Sequence, residues 1–356
     1  MGKISINEKL KKIQPYIMDK NKYNVKLDAN ESFLEFPKEL KEELFSTIDE
    51  VLFNRYPDPD AEEICRLYGE YCGTSEKNIM PGNGSDDIIQ TLCNGFLESG
   101  DKILTLKPDF SMYKFYASII GASSLEYDMG ENLIFHKEAF VKLANDNAVK
   151  LIIFSNPNNP TGNVIKRDDI LYVVKNCDAL VVADEAYYEF YGETVIDCIY
   201  EYENLAVLRT CSKAFGLAGL RVGFLIAGDI IIENAKKVKP PYNVNSLSQA
   251  AAKVMLSHPE IIRENIKRIK EERNYLYEKL LNLESKFGKS KLKVYPTGAN
   301  FIYIRTVYSQ IIFESLRNSS IIVRNFGENL RVNAGTRKEN GEFIEALEKL
   351  LAGIGE

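Results

Sequence analysis

One lysine stands out by its setting. In Thr210-Cys211-Ser212-Lys213-Ala214-Phe215-Gly216, Lys213 follows the apolar run Leu205–Leu208, which reads as a strand. A lysine at a strand end, partly desolvated in a cleft, loses basicity and becomes a nucleophile able to form a Schiff base. Thr210, Ser212 and the nearby Arg221 offer two hydroxyls and one fixed cation, a set suited to a phosphate. Read alone, the segment also fits a surface lysine at a helix start.

Three more segments carry similar chemistry. Asp184, in Ala183-Asp184-Glu185-Ala186-Tyr187, ends the apolar run Ala179–Val182. A carboxylate at the carboxyl end of a central strand lies where open α/β sheets bind ligands, and if buried it needs a cation. It also fits a plain helix cap. In Ser155-Asn156-Pro157-Asn158-Asn159-Pro160-Thr161-Gly162, two prolines stiffen the backbone, so that Asn159 can be aimed. The same composition makes ordinary turns. Gly82-Asn83-Gly84-Ser85-Asp86-Asp87 opens a helix, whose free N–H groups suit an anion. It matches neither the dinucleotide fingerprint nor the Walker loop.

Positioning these groups takes a sheet. The short apolar runs Lys102–Leu106, Leu151–Phe154, Ala179–Ala183, Leu205–Leu208 and Val222–Ile226 alternate with helical patterns at Ser85–Phe96, Tyr113–Ile120 and Asp168–Lys175. Runs apolar on both faces suit a mostly parallel sheet flanked by helices. After Pro240-Pro241 the texture changes. A charged amphipathic helix, bent near Pro259, is expected over residues 246–286. Strands follow at Leu292–Tyr295, Asn300–Arg305, Ile321–Arg324 and Leu330–Asn333, then a helix over Gly341–Leu351. The pattern predicts an α/β fold: an N-terminal arm joining the small domain (1–45), a large domain (46–245) and a smaller α+β domain (246–356).

Composition narrows the function classes. The 356 residues are 45% hydrophobic and 27% charged, with net charge −6, which suits a globular protein and disfavours nucleic acid or an anionic membrane. No apolar run approaches the roughly 18 residues of a membrane span, and the first residues do not read as a secretory signal. The six cysteines form no C-x-x-C pair. With only His136 and His258 beside them, no metal site is expected. A reducing, cytoplasmic setting is expected. Neither histidine lies in a triad-like context, so the proton shuttle is expected to be another residue.

Taken together, lysine, phosphate cradle, strand-end carboxylate and aimed asparagine are what a pyridoxal phosphate (PLP) enzyme requires. The chain resembles the fold-type I aminotransferases, and within them the histidinol-phosphate aminotransferases. The resemblance is carried by Asp28–Glu31, Asn54–Asp58, Gly82–Asp86, Asn156–Gly162, Asp184–Tyr187, Ser212–Gly223 and Leu330–Gly335, in family order across nearly the whole chain. It implies that Lys213 is the Schiff-base lysine and the proton carrier. Asp184 would pair with the pyridinium nitrogen, while Asn159 and Tyr187 would hold the ring's phenolic oxygen. The phosphate would lie among Thr210, Ser212, Arg221 and the backbone N–H groups of Ser85 and Asp86. Phe110 stands where the family often has a stacking tyrosine, so stacking is retained and a phenolic hydrogen bond is not.

Tyr56 matches a tyrosine that reaches the neighbouring subunit's cofactor, which implies a homodimer with shared sites. Arg331 matches the substrate-anion arginine, Arg324 a second arginine for a substrate phosphate, and Tyr16 a tyrosine closing over that phosphate. Asn30 is expected to line the pocket. The implied activity is transamination of L-histidinol phosphate with 2-oxoglutarate, in histidine biosynthesis, with ping-pong kinetics. The alternatives are an aromatic amino-acid aminotransferase, a threonine-phosphate decarboxylase and a PLP-binding transcription regulator. The last is disfavoured, since the first 45 residues hold no helix-turn-helix.

Overall fold

The computed structural model describes residues 21–353. Its strands are β1 (Val25–Lys26), β2 (Ile79–Gly82), β3 (Lys102–Lys107), β4 (Ser123–Asp128), β5 (Leu151–Ser155), β6 (Leu180–Asp184), β7 (Leu205–Thr210), β8 (Gly223–Ala227), β9 (Lys293–Val294), β10 (Phe301–Arg305), β11 (Ile321–Ile322), β12 (Arg324–Asn325) and β13 (Asn329–Asn333). The helices are α1 (Lys41–Asp49), α2 (Glu62–Cys72), α3 (Ser85–Phe96), α4 (Met112–Ile120), α5 (Lys137–Asp146), α6 (Arg167–Asn176), α7 (Tyr188–Tyr191), α8 (Asp229–Val238), α9 (Ser246–Leu256), α10 (Pro259–Phe287), α11 (Ser309–Asn318) and α12 (Arg337–Gly353).

Seven strands form the main sheet in the order β2-β8-β7-β6-β5-β3-β4. The pairs β3–β4, β3–β5, β5–β6 and β6–β7 are parallel. Strand β8 runs antiparallel to both β7 and β2. The central strands β5, β6, β7 and β8 are buried throughout, because helices cover both faces. Alternation sends Val181, Ala183 and Val207 into one core cluster and Val182, Ala206 and Leu208 into another. The edge strand β4 is largely exposed, so it lacks the apolar signature of its neighbours.

A second sheet, β12-β13-β10-β9, is antiparallel and carries the small domain. Its core takes in Leu276, Ile302, Ile312, Val332 and Phe343. The N-terminal segment joins it: β1 pairs parallel with β11, and Val25 and Leu27 are buried in the same core.

One expectation is corrected. Residues 246–286 are not a single bent helix but two, α9 and α10, separated by Ser257-His258. Pro259 sits in the first turn of α10, where its missing N–H costs nothing, so the proline starts a helix rather than kinking one. Helix α9 packs into the large core through Ala252, Val254 and Met255. Helix α10 spans both cores, with Ile262 and Ile269 in the large one and Leu276, Leu280 and Leu283 in the small one.

Candidate active site

The carboxyl ends of β5, β6 and β7 lie side by side, in the register Ser155↔Asp184 and Asp184↔Leu208. Asp184 is buried and ends β6. Its Oδ2 accepts a hydrogen bond from the Tyr113 hydroxyl at 2.6 Å, and its Oδ1 accepts from the Ala186 N–H at 3.1 Å. Both partners are neutral. Burial pushes its pKa up to about 6, against the pull of these two donors. A cation brought to this carboxyl would reverse the penalty.

Beyond β7 the chain turns through Thr210-Cys211-Ser212-Lys213. The Thr210 hydroxyl donates to Ser212 Oγ at 3.0 Å and accepts from the Ser212 N–H at 3.1 Å, which closes the turn. Arg221 donates to Ser212 Oγ at 3.3 Å and meets the Asp86 carboxylate at 3.0 Å. The helix start at Ser85 carries no side-chain cap. Gly84 has φ +80°, and a Cβ there would lie 2.5 Å from the Arg221 guanidinium. A Cβ on Gly223 would lie 2.8 Å from Ser85 N. Glycine is thus required where β8, the helix start and the arginine converge. Hydroxyls, guanidinium and helix start form a cradle suited to a phosphate, although the Asp86 side chain already shares Arg221.

Lys213 is half-buried, and its Nζ donates to the Ala29 carbonyl at 3.2 Å. Burial, with the charges of Arg331 and Arg221, lowers its pKa to about 8. Segment 28–30 is the hub of this end of the site. Arg331 donates to the Asp28 carbonyl at 2.6 Å and to Asn159 Oδ1. Asn30 donates to the Tyr187 hydroxyl at 2.8 Å, and the Asn30 N–H bonds Asn333 Oδ1 at 3.1 Å. Burial raises the Tyr187 pKa against the pull of Arg331. The guanidinium carbon of Arg331 lies 5.3 Å from the Phe301 ring and 5.5 Å from that of Phe326. Arg324 pairs with Arg331 across β12–β13, so both point to one face of that sheet. Phe110 packs edge-on against Tyr113, with centroids 5.5 Å apart. Tyr56 is 81% exposed and stacks on Tyr242 at 4.6 Å. Tyr16 lies outside the described residues.

The site therefore has two ends: Asp184, Thr210, Ser212, Arg221 and Asp86, then Asn30, Asn159, Tyr187 and Arg331, with Lys213 sensing charge from both. Crevices of about 610 Å³, beside residues 33–39, and 520 Å³, beside Arg209, lie elsewhere. Chemistry rather than volume marks this site.

The residues matched by the model of aminotransferase class I and II run from 22 to 347. The chain belongs to this family. It is 45% identical over 343 residues to a histidinol-phosphate aminotransferase from Clostridium novyi, covering 95% of each chain. It is 42% identical to one from Clostridium kluyveri, covering 97% of this chain and 98% of that one. The crystal structure of the histidinol-phosphate aminotransferase from Sinorhizobium meliloti, in complex with pyridoxal-5'-phosphate, shares the fold with TM-score 0.89 at 19% identity over 99% of each chain.

Sequence reasoning missed Tyr113, the donor to Asp184, though it stands three residues after Phe110 in the same segment. It also missed Asn333 and the carbonyls of Asp28 and Ala29. Backbone acceptors leave no mark in side-chain chemistry.

Proposed function

We propose that this aminotransferase uses pyridoxal 5'-phosphate to exchange an amino group between L-histidinol phosphate and 2-oxoglutarate, giving imidazole acetol phosphate and glutamate in histidine biosynthesis. The observation that carries the cofactor assignment is a buried carboxyl with only neutral partners, Asp184, at the same sheet end as the Thr210, Ser212 and Arg221 cluster and Lys213. The clostridial relatives, aligned over nearly the whole chain, support the substrate.

The donor set fits the cofactor. Gly84 and Gly223 leave room that any Cβ would fill. Thr210, Ser212, Arg221 and the N–H groups of Ser85 and Asp86 would hold its phosphate. Asp184 would meet the ring nitrogen, Phe110 would cover a ring face, and Asn159 and Tyr187 would serve the phenolic oxygen. When bound, the cofactor supplies an electron sink for the carbanion formed at the substrate carbon. Asp184, ionised against the ring's cation, would hold the ring nitrogen protonated. Tyr113 and the Ala186 N–H orient the carboxylate. Lys213, of lowered basicity and held at the Ala29 carbonyl, would hold the cofactor through Nζ and, once displaced by the substrate amine, would carry the substrate proton. Arg331 orients the substrate anion, and Arg324 on the same face adds the second positive charge that a phosphate ester requires.

A homodimer belongs to the proposal. Exposed Phe45, Leu52, Phe53, Tyr56 and Leu247 lie along α1, the loop after it and the start of α9, which packs on α1. A second copy would cover this apolar surface and receive Tyr56. The three-part division at 45 and 245 is proposed; α9, just past the second boundary, packs into the large core. Among the described residues no helix is long and apolar enough to cross a membrane, and a cytoplasmic site of action is proposed.

The test is the visible spectrum of the PLP-loaded protein. Adding L-histidinol phosphate alone is expected to convert the cofactor band to that of pyridoxamine phosphate, and 2-oxoglutarate to restore it. A band that histidinol phosphate leaves unmoved overturns the substrate. Conversion by phenylalanine, or CO₂ release from threonine phosphate, then names the alternative.

A further inference from the structure

Asp109 is a half-buried titratable group that the reaction does not use, and it borders the site. It stands between β3 and α4, immediately before Phe110. Its Oδ1 accepts from the Phe110 N–H at 2.8 Å and from the Ser155 hydroxyl in a short contact. Its Oδ2 faces the Ser155 N–H at 3.3 Å and the Thr105 hydroxyl at 3.4 Å. Ser155 Oγ in turn accepts from the Asn159 N–H at 2.8 Å. Nearby, Asn158 Nδ2 reaches both Ser155 Oγ at 3.4 Å and the Pro108 carbonyl at 3.3 Å. The end of β3 and the turn after β5 are therefore joined by one hydrogen-bonded knot.

We propose that Asp109 is a positioning residue of the cofactor site, locking the Phe110 loop to the Asn159 turn through Ser155. One side of the knot carries the aromatic ring assigned to the cofactor's face. The other carries the amide assigned to its phenolic oxygen. A ligand gripped between them needs a fixed spacing, and nothing in either loop alone provides it. Desolvation, opposed by the bonds from Ser155 and Phe110, pushes the Asp109 pKa up to about 8. Asparagine is the closest mimic by shape, because its amide oxygen retains the two bonds from the Phe110 N–H and the Ser155 hydroxyl.

The inference rests on the PLP reading, and the test separates the two. Apoprotein is titrated with PLP, and the pH midpoint of the bound cofactor's visible band is recorded. This is done for wild type, Asp109→Ala, Asp109→Asn, Asn159→Ala and the double variant Asp109→Ala/Asn159→Ala. Asp109→Ala is expected to weaken PLP binding about tenfold, the order of one lost buried hydrogen bond, and to move the band midpoint in the same direction as Asn159→Ala. Asp109→Asn should restore both. The double variant should be little worse than Asn159→Ala, since the two act through one link. Additive losses, an unmoved midpoint or failure of asparagine to rescue overturn the proposal while leaving the PLP reading intact. Wild-type protein that binds no PLP overturns both. If Asp109→Ala does not fold, Ser155→Ala tests the same link. Loss of affinity with a moved midpoint supports the proposal, and unchanged values overturn it.

Discussion

Two polar pairs sit at the ends of the same two strands, β6 and β7, on opposite faces. On one face are Asp184 and Thr210, aligned with Val182 and Leu208; on the other are Glu185 and Arg209, aligned with Ala183 and Val207. Both pairs are buried. Their partners differ. Arg209 binds Glu185 at 2.6 Å, stacks over the Tyr188 ring at 3.6 Å and donates to Thr194 at 3.0 Å. Glu185 also accepts from the Thr194 hydroxyl at 2.6 Å and the Val195 N–H at 3.0 Å. Here charge answers charge within the chain. Asp184 has neutral partners, and the hydroxyls of Thr210 and Ser212 turn on each other beside an arginine. Burial alone therefore does not mark function. What separates the pairs is a charge left without an opposite inside the fold.

The comparison breaks most visibly at the lysine. Lys213→Ala is expected to reduce turnover by about 10²–10⁴-fold through lost proton transfer alone. Its apoprotein should melt no earlier than wild type, because the change removes an amine that burial disfavours. Steady-state rates and calorimetry check both halves. Next, Asp184→Ala should weaken PLP binding by roughly 10²–10³-fold, since it leaves a buried pyridinium uncompensated. A titration of the apoprotein reads this directly. On the other face the expected loss is in stability. Arg209→Ala strands the Glu185 carboxylate and should cost about 3–5 kcal/mol in denaturant unfolding, with PLP affinity of the folded protein unchanged. Equal effects of Asp184→Ala and Arg209→Ala on both measurements would erase the distinction.

The smallest effect is a pH dependence. The folded pKa of Asp184, about 6, lies above its unfolded value, so its ionisation disfavours the apo fold. Below the unfolded pKa the group contributes nothing. The penalty grows as pH rises and is complete above about 6. Asp184→Asn apoprotein should therefore gain stability over wild type across that window, by on the order of 2–3 kcal/mol, and the two curves should converge in acid. PLP should abolish the difference.

Much of the site was legible because its chemistry is local. Lys213 with its hydroxyls, Asp184 at a strand end and the Asn159 turn each lie in one short segment, next to an apolar run that reads as a strand. The large-domain elements were legible for the same reason, since β5 to β8 are buried on both faces. The exposed edge strand β4 and the split at Pro259 were not: one lacks the apolar signature, and a proline can start a helix as readily as bend one.

Sequence by itself thus determined the residue types at the strand ends, the alternation that divides them between two faces and the glycines that admit a close approach. Only the tertiary structure decided which polar neighbour is answered inside the fold. Asp184 and Glu185 are adjacent carboxylates, and alternation sends one to Tyr113 and the other to Arg209. It also brought segment 28–30 from the far end of the chain to Lys213, Tyr187 and Arg331. Those bonds use backbone carbonyls and long-range docking, which depend on the packing of whole elements and have no local signal.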